Sequence, residues 1–100
     1  MKKKTNRRKT IYASLYEMDD NRLKAHLIFI VGKNGKLEDY YPGPFNIGEY
    51  FGQRLKKKEA GMVVCSYLKL EHPHMKLRPE DVKLYPYTKA NEMLFRLENV

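Results

Sequence analysis

The chain has 100 residues, a length that fits one hydrophobic core and falls short of two. Its apolar residues make up 42%, enough to fold, and its charged residues 32%, so much of the surface carries charge. Twenty Lys and Arg face twelve Asp and Glu, a formal net charge of +8 that bears on partners rather than on fold.

The longest apolar run, Ala25 to Gly32, is broken by His26. It is far shorter than the roughly 18 residues that cross a bilayer, so no membrane association is expected. The basic start leads into Ile11–Tyr16, too short and too polar for the apolar region of a secretory signal. The single cysteine, Cys65, cannot form an internal disulfide, which suits a reducing compartment: the cytoplasm, or a nucleus where the cell has one.

Residues 1–9 read as a solvated basic arm, with Lys2, Lys3, Lys4, Arg7, Arg8 and Lys9 unbalanced by any acid. Without those six, fourteen basic residues face twelve acidic ones, and the body, residues 10–100, is only mildly basic. In the body, Ile11, Ala13 and Leu15 alternate with Tyr12, Ser14 and Tyr16, which predicts a two-faced strand. Asp19-Asp20-Asn21 supplies a turn, and Leu23–Val31 is apolar on both faces, as a central strand is. Asn34-Gly35 suits a type I′ hairpin turn. Leu37–Tyr41 then pairs back, completing a three-stranded antiparallel meander.

Pro42-Gly43-Pro44 is expected to close that strand, and Asn46 with Glu49 resembles a capping box. Ile47, Tyr50, Phe51 and Leu55 recur at helical spacing, so a helix is predicted within about 46–60, with Gly61 just past its end. Met62–Leu70 reads as a further strand. Pro73, Pro79 and Pro86 forbid a long element between His72 and Tyr87, although Pro79-Glu80-Asp81 can open one helical turn. The last segment fits a helix through Ala90, Met93, Leu94 and Leu97 or a strand through Met93, Phe95 and Leu97, with the balance towards strand. The fold class is therefore α+β: a small antiparallel sheet of three strands and one or two more, packed on one main helix.

The arm is the first candidate for function, because clustered Lys and Arg neutralise phosphates without a fixed structure; the competing reading is a solubilising tail. Arg54, Lys56, Lys57 and Lys58 form a second cluster in the last turns of the expected helix, where the helix dipole by itself would account for them. Of eight tyrosines, Tyr40 and Tyr41 stand out because adjacent strand residues face opposite ways. Tyr85 and Tyr87 flank Pro86 and share a face; either pair could stack on bases or anchor a protein contact.

Chemistry finds little support. Cys65 lies in an apolar run, where an inert thiol is the ordinary outcome, and His72-Pro73-His74 lacks the spacing of metal sites. No phosphate-cradling glycine loop is present. No enzyme, cofactor or metal is expected. The leading expectation is a small non-enzymatic protein that contacts nucleic acid or a nucleoprotein through phosphates. The alternative is a compact inhibitor or adaptor, of the phage or mobile-element kind, docking on a nucleic-acid-processing enzyme or ribonucleoprotein.

Overall fold

Strand β1 (Thr10–Glu17) forms where alternation predicts it, and Ile11 and Ala13 are fully buried on one face. In the computed structural model, which describes residues 9–18, 21–49 and 56–99, β2 (Arg22–Val31) and β3 (Leu37–Glu49) complete an antiparallel meander. A short strand, β4 (Val82–Leu84), pairs parallel to β1 and gives the sheet order β3-β2-β1-β4. Two helices, α1 (Lys57–Glu71) and α2 (Tyr87–Glu98), complete an α+β domain. No helix among the described residues is long and apolar enough to cross a membrane.

The helices cover opposite faces of the sheet. Val64 and Leu68 of α1 pack with Ile11, Ala13, Leu23, Ala25, Ile28 and Ile30. Ala90 and Leu94 of α2 pack with Leu27 and Phe29. Leu23 and Ala25 share a face with Ile28 and Ile30 although their numbers differ in parity. The reason is a register shift in which His26 is the extra residue: Leu15 pairs with Ala25 and Ser14 with Leu27. One additional residue reverses the alternation beyond it.

The hairpin after β2 is not of type I′. Only Gly35 has positive φ (80°), whereas a type I′ turn needs it at both central positions. Gly35 N–H donates to Gly32 O and Gly32 N–H to Lys36 O, each at 2.9 Å, so three residues close the loop. Asn34 contributes through its side chain, accepting from Lys36 N–H at 3.1 Å.

Three expected elements lie elsewhere. The strand does not stop at Pro42: β3 lies at an edge of the described sheet, where residues without an N–H are tolerated, and irregularities in its pairing with β2 absorb the kinks. Asn46 and Ile47 are thus strand residues, and Ile47 is buried. Tyr50, Phe51 and Leu55 lie outside the described residues.

The helix begins at Lys57 and occupies the segment expected to be strand. Ala60, Gly61, Val64 and Leu68 are its buried residues, a spacing that fits one helical stripe. The β-branched and aromatic residues Val63, Val64 and Tyr67 weakened that pattern in the sequence, but tertiary packing outweighs their propensity. Gly61 is no C-cap; it is the fifth residue of α1, at the start of the second turn, buried beneath Pro79 of the 3₁₀ turn Pro79–Asp81. The last segment is helix and not strand. Ala90 and Leu94 are buried, whereas Phe95, which the strand reading turns inward, is 66% exposed.

Candidate functional site

β1, β3 and β4 run in the same direction, because β1 is parallel to β4 and each antiparallel step through β2 reverses the chain. Their C-terminal ends therefore share one end of the sheet, and α2 begins there after the two residues that follow β4. A cleft of about 390 Å³ opens there. Its floor is apolar, made by Leu15, Leu23, Ala60 and Leu84, and its rim carries Tyr16, Glu17, Lys56, Lys57, Tyr85 and Pro86. Lys57 also borders a second concavity with Lys58, Pro79, Glu80 and Val82.

Helix α1 places the lysines. Lys56 is its N-cap, without a side-chain capping bond, and Lys57 and Lys58 are its first two residues; all three are exposed. This reverses the expected relation to the helix dipole. The N-terminal end is the positive end, so each cation there costs about 0.3–1 kcal/mol instead of contributing it.

Next to the cleft, the α2 face of the sheet carries two series of rings. Tyr16 stacks on His26 (centroids 4.2 Å, interplanar angle 28°), and His26 meets Tyr87 at 5.1 Å. Tyr12 stacks between Phe29 (5.0 Å) and Tyr85 (5.7 Å), and the Lys89 ammonium lies 5.0 Å from the Tyr85 ring centre. Burial, then the neighbouring Tyr85, raises the Tyr12 phenol above its ordinary value.

The candidate residues are thus divided. Lys56, Lys57, Lys58, Tyr85 and Tyr87 come together at one end of the sheet. Lys9 stands at the other, ahead of β1, in an ion pair with Glu38 (2.8 Å). The eight residues of β1 span roughly 25 Å, so Lys9 is not brought to the other lysines. Lys2, Lys3, Lys4, Arg7, Arg8 and Arg54 lie outside the described residues. Tyr40 is 43% exposed and its amide donates to Asp39. Tyr41 is half-buried on the α1 side, its hydroxyl donating to Asp39 Oδ2 (3.0 Å) and lying 2.5 Å from His72 Nε2. Burial first, then the Asp39 bond, push the Tyr41 phenol well above its usual range.

Cys65 lies on α1, half-buried beside the core and not in a strand. Burial, followed by the Asp81 and Glu80 carboxylates, pushes its thiol up to about 11. His72 is seven residues further along, about 10 Å of helical rise away. Among the described residues, no three His, Cys, Asp or Glu side chains could hold a metal ion together.

Tyr12, Tyr16 and His26 were not among the expected site residues. Their signal was present: both tyrosines alternate out of the core face of β1, and His26 interrupts the apolar run of β2. No protein-family model matches the chain, and no curated protein and no solved structure matches it.

Proposed function

We propose that the protein is a small non-enzymatic nucleic-acid-binding protein that holds phosphates with Lys56, Lys57 and Lys58, assisted by the basic residues 2–9. One observation carries this reading. The three lysines are exposed, Lys56 and Lys57 on the rim of the cleft and Lys58 at the neighbouring concavity, at the helix end where their charge works against the helix. A cluster that costs stability where it stands calls for another role, and phosphate neutralisation with counterion release is the role that exposed Lys side chains serve best. The thiol pushed up to about 11 argues against Cys65 as a nucleophile, which needs the opposite shift. With one cysteine and no disulfide possible within the chain, the cytoplasm suits it.

The rival reading, a protein-directed inhibitor or adaptor, needs a contiguous apolar patch with charge at its rim. Among the described residues the two most exposed apolar side chains, Leu70 and Phe95, lie on helices that cover opposite faces, so these two do not build one patch, and the apolar floor of the cleft is the surface such a partner would have to use.

Fluorescence anisotropy with labelled oligonucleotides at several salt concentrations tests the proposal. Log affinity should fall with log salt by roughly 0.7–0.9 per phosphate held. Replacing Lys56, Lys57 and Lys58 together by Gln should flatten that slope by about 2 to 3 and weaken unrelated sequences equally, because phosphate contacts carry no base information. Deleting residues 2–9 should have an effect of the same kind. No binding at low salt by the folded chain would overturn the proposal and favour a protein partner.

A further inference from the structure

We propose that the ring-lined end of the sheet takes single-stranded nucleic acid, with bases stacking on Tyr16 and Tyr87 while Lys56 and Lys57 hold the adjoining phosphates. This rests on the nucleic-acid reading above and adds to it the strandedness of the ligand.

The rings are arranged as a platform rather than as core. Tyr16, His26 and Tyr87 form one series, so His26 is enclosed between its neighbours and Tyr16 and Tyr87 are its ends. Tyr87 is 48% exposed, and Tyr16 borders the cleft. The second series is anchored by Phe29, fully buried, which fixes Tyr12 and through it Tyr85 at the cleft's rim. Tyr87, close to half exposed at the end of its series, leaves apolar ring surface in water that a planar partner would cover.

Charge at the same place defines that partner. Lys56 and Lys57 share the cleft rim with Tyr16, Tyr85 and one carboxylate, Glu17, which leaves the rim net cationic, and Lys89 lies over Tyr85. A ligand that is flat and apolar in one part and anionic in the next, repeating along its length, satisfies both features. A nucleic-acid strand has that alternation. In a duplex the base faces are already covered by their neighbours, and the tyrosines could reach them only by unstacking it. A single strand offers the faces freely, and stacking on aromatic side chains is tolerant of sequence. At about 390 Å³ the cleft is of the size that accepts small planar ligands.

The test compares three labelled probes on the intact chain by anisotropy: a short oligothymidylate, an abasic oligomer with the same number of phosphates, and a duplex of the same length closed by hairpins. The oligothymidylate should bind at least about five-fold more tightly than the abasic strand, and more tightly than the closed duplex. Tyr87→Ala should lose at least about five-fold on oligothymidylate and nothing on the abasic strand, with unchanged salt slopes, whereas Tyr87→Phe should retain affinity. Equal binding of base-bearing and abasic strands would overturn the stacking proposal, and needs no variant. If the lysine variant still weakened both strands, phosphate binding would stand without it. A preference for the closed duplex would also overturn the proposal. Failure of every probe to bind would overturn both readings together.

Discussion

A methyl group placed on Gly61 would lie 2.8 Å from the carbonyl oxygen of Pro79 and 3.2 Å from its Cα. The second turn of α1 and the 3₁₀ turn meet backbone to backbone at this point. Alanine would ordinarily gain about 1 kcal/mol over glycine inside a helix. Here the obstructing atoms are main chain and cannot rotate away, so overpacking prevails. Gly61→Ala should lower stability by about 1–3 kcal/mol, read from the urea midpoint. A gain in stability would show that the 3₁₀ turn yields freely.

The lysine cluster gives a prediction whose sign depends on which helix end it occupies. Replacing Lys56, Lys57 and Lys58 by Gln removes cations from the positive end of α1. The variant should be more stable than the parent by a few tenths of a kcal/mol per residue, even as it loses nucleic acid. Thermal melting at low ionic strength, where the dipole is least screened, is the measurement. A loss of stability there would contradict the N-terminal placement.

The register of α2 is tested by two neighbours. Leu94 is 6% exposed and packs with Leu27 and Phe29, so Leu94→Ala should cost about 2–5 kcal/mol. Phe95 is 66% exposed, and Phe95→Ala should stay within about 0.5 kcal/mol. The reverse order in denaturant titrations would restore a strand-like alternation.

Alkaline pH should destabilise the fold. Burial holds the Cys65 thiol and the Tyr12, Tyr41 and Tyr67 phenols above their ordinary values. The folded chain then retains these protons more firmly than the unfolded one. The stability linked to them is fully present below the unfolded values and is lost as pH rises through the folded ones. For Cys65 that window runs from 9.0 to about 11. The stability difference between the parent and Cys65→Ala should shrink across it. In the same range iodoacetamide should report a late thiol, with roughly a hundred-fold less thiolate near neutral pH than an unshifted cysteine has.

Much of the sheet was legible because its signals are local. Alternation in residues 11–16 and an apolar run with β-branched residues in 23–31 need no distant contact to be recognised. The helices were harder. Val63, Val64 and Tyr67 favour strands in isolation, and only the packing of Val64 and Leu68 on β2 and β1 decides for helix. Gly61 looked like a helix end because its actual reason, the approach of Pro79 from eighteen residues further on, is not visible locally. The same displacement concealed the meaning of the lysines: with the helix expected ahead of them, their charge already had an explanation. Tyr85 and Tyr87 were legible as a pair, but the association of Tyr85 with Tyr12 and of Tyr87 with His26 depends on the pairing of β1 with β2 and β4.

The irregular pairing of β3 bears on how the protein behaves when concentrated. A straight edge strand of thirteen residues would offer an incoming chain an evenly spaced row of donors and acceptors, the template from which fibrils grow. Here Pro42 and Pro44 bring no N–H, and the register with β2 shifts between Leu23 and Lys24, between Ala25 and Leu27, and between Ile30 and Val31. An added strand would meet a broken row and could not continue it, so a sheet that ends on its longest strand is still protected from templating its own aggregation.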